Sequence, residues 1–307
     1  MTYPRAHLVD EDNGGFYHCI CRCVRRSWLC GNDAVSGRSF AHRRDWIERR
    51  LLELAEVFAV EVYAYAVMSN HYHAVVRTVP RRVREWDDAE VARRWCRLGT
   101  AKDPVQVQRA AATLCRDAER LGEVRRRLGS LSWFMRYLNE PLARRANREE
   151  GCTGRFWEGR FKSVALLDEA AVVGCMAYVD MNPIRAGLTA RVTEALHTSI
   201  GRRHRPLSSP HGAGLAPLSG VALSLSSYTA LLAWTVATER GAVGVPGGEA
   251  AAALAHLGCR PMGWLKHVRV HRFKYRAYGA LAQLQRYAQS LGQHWIRGQN
   301  VVAAAQA

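Results

Sequence analysis

The stretch that decides the fold is Val67-Met68-Ser69-Asn70-His71-Tyr72-His73-Ala74-Val75-Val76. Ser69-Asn70 supplies a turn between two apolar, β-branched runs, so residues 61–68 and 71–79 read as a hairpin that Pro80 brings to an end. Along a strand, successive side chains point to opposite faces, so His71 and His73 share a face and Tyr72 has the other. Two imidazoles on one face of a rigid strand are half of a divalent-metal site, or two ordinary packed histidines; the spacing alone leaves both readings open.

Working outward, residues 15–24 (Gly-Phe-Tyr-His-Cys-Ile-Cys-Arg-Cys-Val) alternate as a strand. Residues 40–57 place Trp46, Ile47, Leu51, Leu52, Leu54 and Ala55 at helical spacing between arginines. Residues 81–128 change to Arg, Glu, Ala and Leu, with Trp86 and Trp95, and read as a helical insertion. Ser130 or Ser132 caps a helix over 133–148 that Pro141 should bend or split. Residues 161–167 form a short strand. Asp168 caps a helix over 169–181, which Asn182-Pro183 ends. The order strand, helix, strand, strand, helix, strand, helix predicts an α+β fold, a ferredoxin-like antiparallel sheet with helices packed on one face. The expected organisation is a domain over 1–200 with its insertion at 81–128, a Pro/Ser/Gly-rich linker at 201–227, and a mostly helical extension over 228–307, with helices at 228–239, 249–257 and 277–291.

The chain has 307 residues and 48% hydrophobic content, enough for a substantial core. Lys and Arg outnumber Asp and Glu by 44 to 27, a formal net charge of +17, and most of the excess is arginine, whose planar fork pairs with phosphate. Nucleic acid is therefore the leading partner class. No long uncharged apolar run or terminal basic anchor points to a membrane, and Arg5, Asp10, Glu11 and Asp12 interrupt any leader, so a cytoplasmic protein is expected. The nine cysteines are unpaired in spacing; Cys19, Cys21 and Cys23 share one strand face and read as small buried residues rather than zinc ligands. Between Cys259 and Asn300 there are eight Lys or Arg and no carboxylate, with Trp264, Phe273, Tyr275, Tyr278 and Trp295 interleaved, a pattern suited to DNA or RNA contact.

Three blocks occur in order: Ser69-Asn70-His71-Tyr72-His73, then Gly154-Arg155-Phe156-Trp157-Glu158-Gly159-Arg160-Phe161-Lys162, then Tyr178-Val179-Asp180-Met181-Asn182-Pro183-Ile184-Arg185-Ala186-Gly187. Together with the Tyr17-His18 strand they resemble the REP-associated tyrosine transposases, of the histidine–hydrophobic–histidine endonuclease superfamily, over residues 14–200. The resemblance implies that His71 and His73 hold Mg²⁺ or Mn²⁺ and that a helix tyrosine attacks a phosphodiester of single-stranded or hairpin DNA. A 5′-phosphotyrosine and a free 3′-hydroxyl would result, the stored bond serving a later strand transfer. Holding two strand ends together suits a homodimer.

In this resemblance the nucleophile is expected on the helix before the Gly-Arg-Phe block, near Leu142 and Arg145. Neither is a tyrosine, and the tyrosine of that helix is Tyr137. Tyr137 is the nucleophile candidate, or a core aromatic with Trp133, Phe134 and Leu138. Asn139 and Asn147 are candidate third ligands or phosphate contacts. Arg155, Arg160 and Lys162 are expected on the DNA backbone, and Arg185 there or as surface charge; Phe156 and Trp157 stack on bases or are buried. Intact histidines favour a metal-dependent DNA endonuclease and strand transferase. The displaced tyrosine favours a descendant that binds hairpin DNA with little or no chemistry, and an RNA-processing protein is a third class.

Overall fold

In a computed structural model, described for residues 4, 7–24, 29–32, 37–99, 103–205, 214–269 and 275–300, the hairpin forms as its alternation predicts. Strands β1 (Gly15–Arg22), β2 (Val60–Val67), β3 (His71–Thr78) and β4 (Lys162–Leu166) are continued by two-residue strands β5 (Ala277–Tyr278) and β6 (Gly298–Gln299). The sheet order is β2-β3-β1-β4-β5-β6. β3 pairs antiparallel with β2 and β1, and β1 antiparallel with β4; the last two additions are parallel. Helices α1 (Arg43–Val57), α2 (Pro80–Glu85), α3 (Asp88–Cys96), α4 (Pro104–Leu114), α5 (Ala118–Leu128) and α6 (Leu131–Glu149) precede β4. After it come α7 (Glu169–Asp180), α8 (Asn182–Arg185), α9 (Ser199–Arg203), α10 (Leu225–Glu239), α11 (Gly248–His256), α12 (Pro261–Arg269) and α13 (Leu281–Ser290).

The α+β class is the expected one, but the helices do not keep to one face. Tyr17, Cys19 and Cys21 of β1 and Tyr72, Ala74 and Val76 of β3 pack into a core with Ile47, Leu51 and Leu54 of α1 and Phe134, Met135 and Leu138 of α6. Val75 of β3 and Val164 and Leu166 of β4 pack on the other face with α7, α10 and α12. A sheet covered twice explains why β2 is buried at every residue except Glu61, and β3 at every residue except His71 and Arg77. It also explains α7, whose residues are all buried except Glu169 and Tyr178; a helix enclosed on every side needs no polar stripe.

Two local features set these helices. Asp168 caps α7 as expected, its carboxylate accepting from the Ala171 N–H at 2.8 Å. Pro141, expected to bend or split its helix, lies within the single helix α6. A proline there cannot donate to the carbonyl four residues earlier, that of Tyr137, and Arg50 Nε donates to that oxygen instead at 3.4 Å. Ser130 stands at the N-cap of α6, but its hydroxyl bonds Glu11 rather than the helix.

The C-terminal helices are built into the same body. α12, absent from the expected helices, packs on α7, where His267 Nε2 donates to the Ala170 carbonyl at 2.8 Å. That approach needs a glycine: a Cβ on Gly174 would stand 2.0 Å from His267 Nε2. Gly174→Ala is therefore expected to cost roughly 1–3 kcal/mol by overpacking, read as a lower urea midpoint at unchanged slope. Of the aromatics in the basic region, Trp264 and Tyr278 are buried, Trp264 donating to Thr235 Oγ1 at 2.9 Å, so they serve the core and not base stacking. Trp295 is 72% exposed. Phe273, part of the expected linker and the end of the chain lie outside the described residues.

Candidate active site

Strand alternation places His71 and His73 together on the α7 face. β1 lies beside β3 with Ile20 opposite His73 and Arg22 opposite His71, which brings His18 and Arg22 to the same face. The three imidazoles form a chain: His18 Nε2 is 2.9 Å from His73 Nδ1, and His73 Nε2 is 3.1 Å from His71 Nε2. His71 Nδ1 meets Asn70 Oδ1 at 2.5 Å. His18 and His73 are buried and His71 is half-buried at the open end.

Burial, with the neighbouring His71, takes the His18 ring down to about 3, and burial with the charge of Arg22 takes His71 down to about 4. Burial, then His18, His71 and Arg22, holds His73 well below the ordinary value. All three rings are therefore neutral near pH 7, the form with a lone pair to offer a metal. Two nitrogens about 2.0–2.1 Å from a common ion stand about 2.9–3.4 Å apart. The separation of the His71 and His73 Nε2 atoms falls within that interval, so the pair fits a divalent ion. Of the two expected ions, nitrogen donors favour Mn²⁺, since Mg²⁺ takes oxygen.

A tyrosine does face these rings, and it is Tyr178. It occupies the last full turn of α7, half-buried, with its ring centroid 5.7 Å from that of His73 and 6.0 Å from that of His18. The Asn182 side chain bonds the Tyr178 carbonyl at 2.9 Å, and the Arg185 guanidinium lies 5.5 Å from the ring centre. Tyr178, Asn182, Arg185, Glu239 and Arg269 line an open cleft of about 420 Å³.

Tyr137, the expected nucleophile, is placed elsewhere. Its ring packs among Phe58, Trp95 and Trp133 on the Tyr72 side of the sheet, opposite the histidines. The helix that carries it covers the face opposite the histidines, and a one-turn shift along that helix would not change this. The expected third ligands are also on that side or beyond. Asn139 Oδ1 accepts from the Tyr72 hydroxyl at 2.6 Å, and Asn147 Nδ2 donates to the Gly154 carbonyl at 2.9 Å.

The expected backbone-binding residues divide. Lys162 is exposed and, in register with Ile20 and in phase with Val164, shares the histidine face. Arg155 and Arg160 are exposed on the loop before β4. Arg185 is held by Glu239 through two bonds of 2.7 and 3.1 Å. Phe156 is buried, and Trp157 donates to the Asn139 carbonyl at 3.0 Å, so this pair braces the loop. Arg22 and Tyr178 also stand at this face, and neither is among the residues expected there. The signal for Arg22 was its phase with His18; the signal for Tyr178 was a phenol one turn before Asn182.

A second group of metal-donor type, Asp45, Glu48 and His197, lies at the β2 edge. Glu48 is already engaged there, accepting from the Tyr65 hydroxyl at 2.6 Å and contacting His197 Nδ1 at 2.9 Å. Among the described residues no helix is long and apolar enough to cross a membrane.

No protein-family model and no curated protein matches the chain. Among solved structures, it is similar to a REP-associated tyrosine transposase bound to a REP hairpin, at 14% identity and a TM-score of 0.39, over 70% of this chain and 98% of that one.

Proposed function

We propose that this chain is a metal-dependent, single-tyrosine DNA endonuclease and strand transferase acting on single-stranded or hairpin DNA, with Tyr178 as its nucleophile. The observation that carries the reading is the Tyr178 ring standing against His73, on the face where both strand histidines offer neutral nitrogens. His71 and His73 would hold Mn²⁺ or Mg²⁺, and such an ion would polarise the scissile phosphate. Arg22 and Lys162, exposed on the same face, would pair with phosphates on either side of the cleaved bond.

In this reading the Tyr178 phenol gives its proton to solvent and its oxygen forms a bond to phosphorus. The P–O3′ bond breaks and the 3′ oxygen leaves, taking up a proton. The product is a 5′-phosphotyrosine that a 3′-hydroxyl can later attack to regenerate the phenol. A phenolate is a better leaving group than an alkoxide, which keeps that second step accessible. The ordered sequence blocks around His71, Gly154 and Tyr178 support the same class. The alternative is a DNA-binding descendant with little or no chemistry, supported by the displaced tyrosine of α6; the Tyr178 ring beside His73 favours the enzyme.

The test is incubation with end-labelled single-stranded hairpin DNA and Mn²⁺, read on denaturing gels. A covalent protein–DNA adduct that requires the metal is expected. Salt-sensitive hairpin binding with no adduct under any divalent ion would instead establish the binding protein.

A further inference from the structure

His18 has no place in the chemistry just proposed, yet it is fully buried and its Nε2 faces His73 Nδ1 at 2.9 Å. A neutral imidazole carries one proton on its two nitrogens, so the bond at one nitrogen decides what the other can do. If His73 is to give the lone pair of Nε2 to a metal, its proton must be on Nδ1, and Nδ1–H must find an acceptor. The group in reach is His18 Nε2. We propose that His18 is the positioning residue of the metal site: it accepts the Nδ1–H bond of His73 and so fixes His73 in its metal-binding tautomer and orientation. This inference rests on the metal reading of His71 and His73.

His71 has the matching arrangement at the other end, with Nδ1–H donating to Asn70 Oδ1 at 2.5 Å and Nε2 left as a lone pair. Without metal, the 3.1 Å contact between the two Nε2 atoms must carry one proton. Since His71 Nδ1 already donates, that proton is on His73. His73 Nδ1 is then an acceptor, and His18 donates to it from Nε2. Metal loading therefore reverses the polarity of the His18–His73 bond. The proton of His73 Nε2 leaves to solvent, the Nε2 proton of His18 crosses to His73 Nδ1, and His18 Nδ1 takes up one proton from solvent. Both rings stay neutral, and no net proton is released. Ligands held by such outer bonds lose about 10–100-fold in metal affinity when the partner is removed.

Two measurements on the full chain test this. In ¹⁵N-histidine-labelled protein, long-range ¹H–¹⁵N spectra should show His18 and His73 with protons on Nε2 in the metal-free state, and with both moved to Nδ1 on titration with diamagnetic Zn²⁺. His18 keeping its proton on Nε2 while Zn²⁺ shifts His73 would overturn the proposal. In Mn²⁺ titrations followed by electron paramagnetic resonance, His18→Phe, which keeps a ring but no acceptor, should weaken binding about 10–100-fold. His18→Gln, whose side-chain oxygen can accept from His73, should recover most of the affinity. Wild-type affinity in His18→Phe would overturn the assignment and leave the metal site standing. A Gln variant that melts like wild type but binds as weakly as Phe would also overturn it. Absence of Mn²⁺ and Zn²⁺ binding by the unaltered protein would remove both this inference and the metal reading it rests on.

Discussion

Tyr178→Phe is expected to abolish the covalent adduct with hairpin DNA, lowering its rate of formation by about three orders of magnitude or more, the scale seen when a nucleophile is deleted. The substitution removes one oxygen and keeps the ring that packs edge-on against His18 and His73. Folding and Mn²⁺ affinity should therefore stay at wild-type values, and DNA binding should change little, because Arg22 and Lys162 are untouched. Tyr137→Phe is the control that matters. Its ring belongs to an aromatic cluster with Phe58, Trp95 and Trp133, where phenylalanine serves as well, and adduct formation should stay within about twofold of wild type. Gels in which Tyr178→Phe still forms the adduct and Tyr137→Phe does not would return the nucleophile to α6.

The contrast between these two tyrosines shows what the sequence could and could not convey. The histidine strand was legible because alternation is a local rule: His71 and His73 had to share a face, and β1 had to pair in phase with them for His18 to join. The Asp168 cap and the end of α7 were legible for the same reason. Which face of the sheet a helix covers is not local. α6 and α7 flank β4 in sequence, yet one packs on Tyr72 and the other on Val75. Nothing in the Trp133–Tyr137 spacing records that difference. Tyr178 was in plain view within its motif, but a helix buried on almost every side has no polar stripe to show that one residue looks out onto a site. Strands β5 and β6, two residues each, are too short to carry a period at all. α12 was hidden by Gly263 and its basic residues, and is fixed by the contact of His267 with Gly174, far earlier in the chain.

Raising the pH from 4 to 7.5 should lower the stability of the wild-type protein relative to Asp180→Asn by about 2 kcal/mol. Asp180 is fully buried two residues beyond Tyr178, and it ties the end of α7 to α9 and α10. One oxygen accepts from Ser199 Oγ at 2.5 Å and from the Ile200 N–H at 3.0 Å, and the other from the Tyr228 hydroxyl at 2.9 Å. Burial lifts its carboxyl from the ordinary 3.8 to about 6, against the pull of those donors and of Arg203. A folded-state value above the unfolded one means that the fold prefers the protonated acid. That preference is fully present below the unfolded value of 3.8 and is lost as the pH rises through about 6. Asparagine has no such titration. The buried histidines work in the opposite sense, because their lowered values make acid destabilising, but they are common to both proteins and cancel in the difference. Urea unfolding of the pair at half-unit pH steps gives the curve directly. A difference that does not vary with pH would mean that the three donors and Arg203 offset burial completely, leaving Asp180 ionised as readily in the fold as in the unfolded chain. The end of α7, and with it the Tyr178 turn, would then be held by an ordinary carboxylate rather than by one on the edge of protonation.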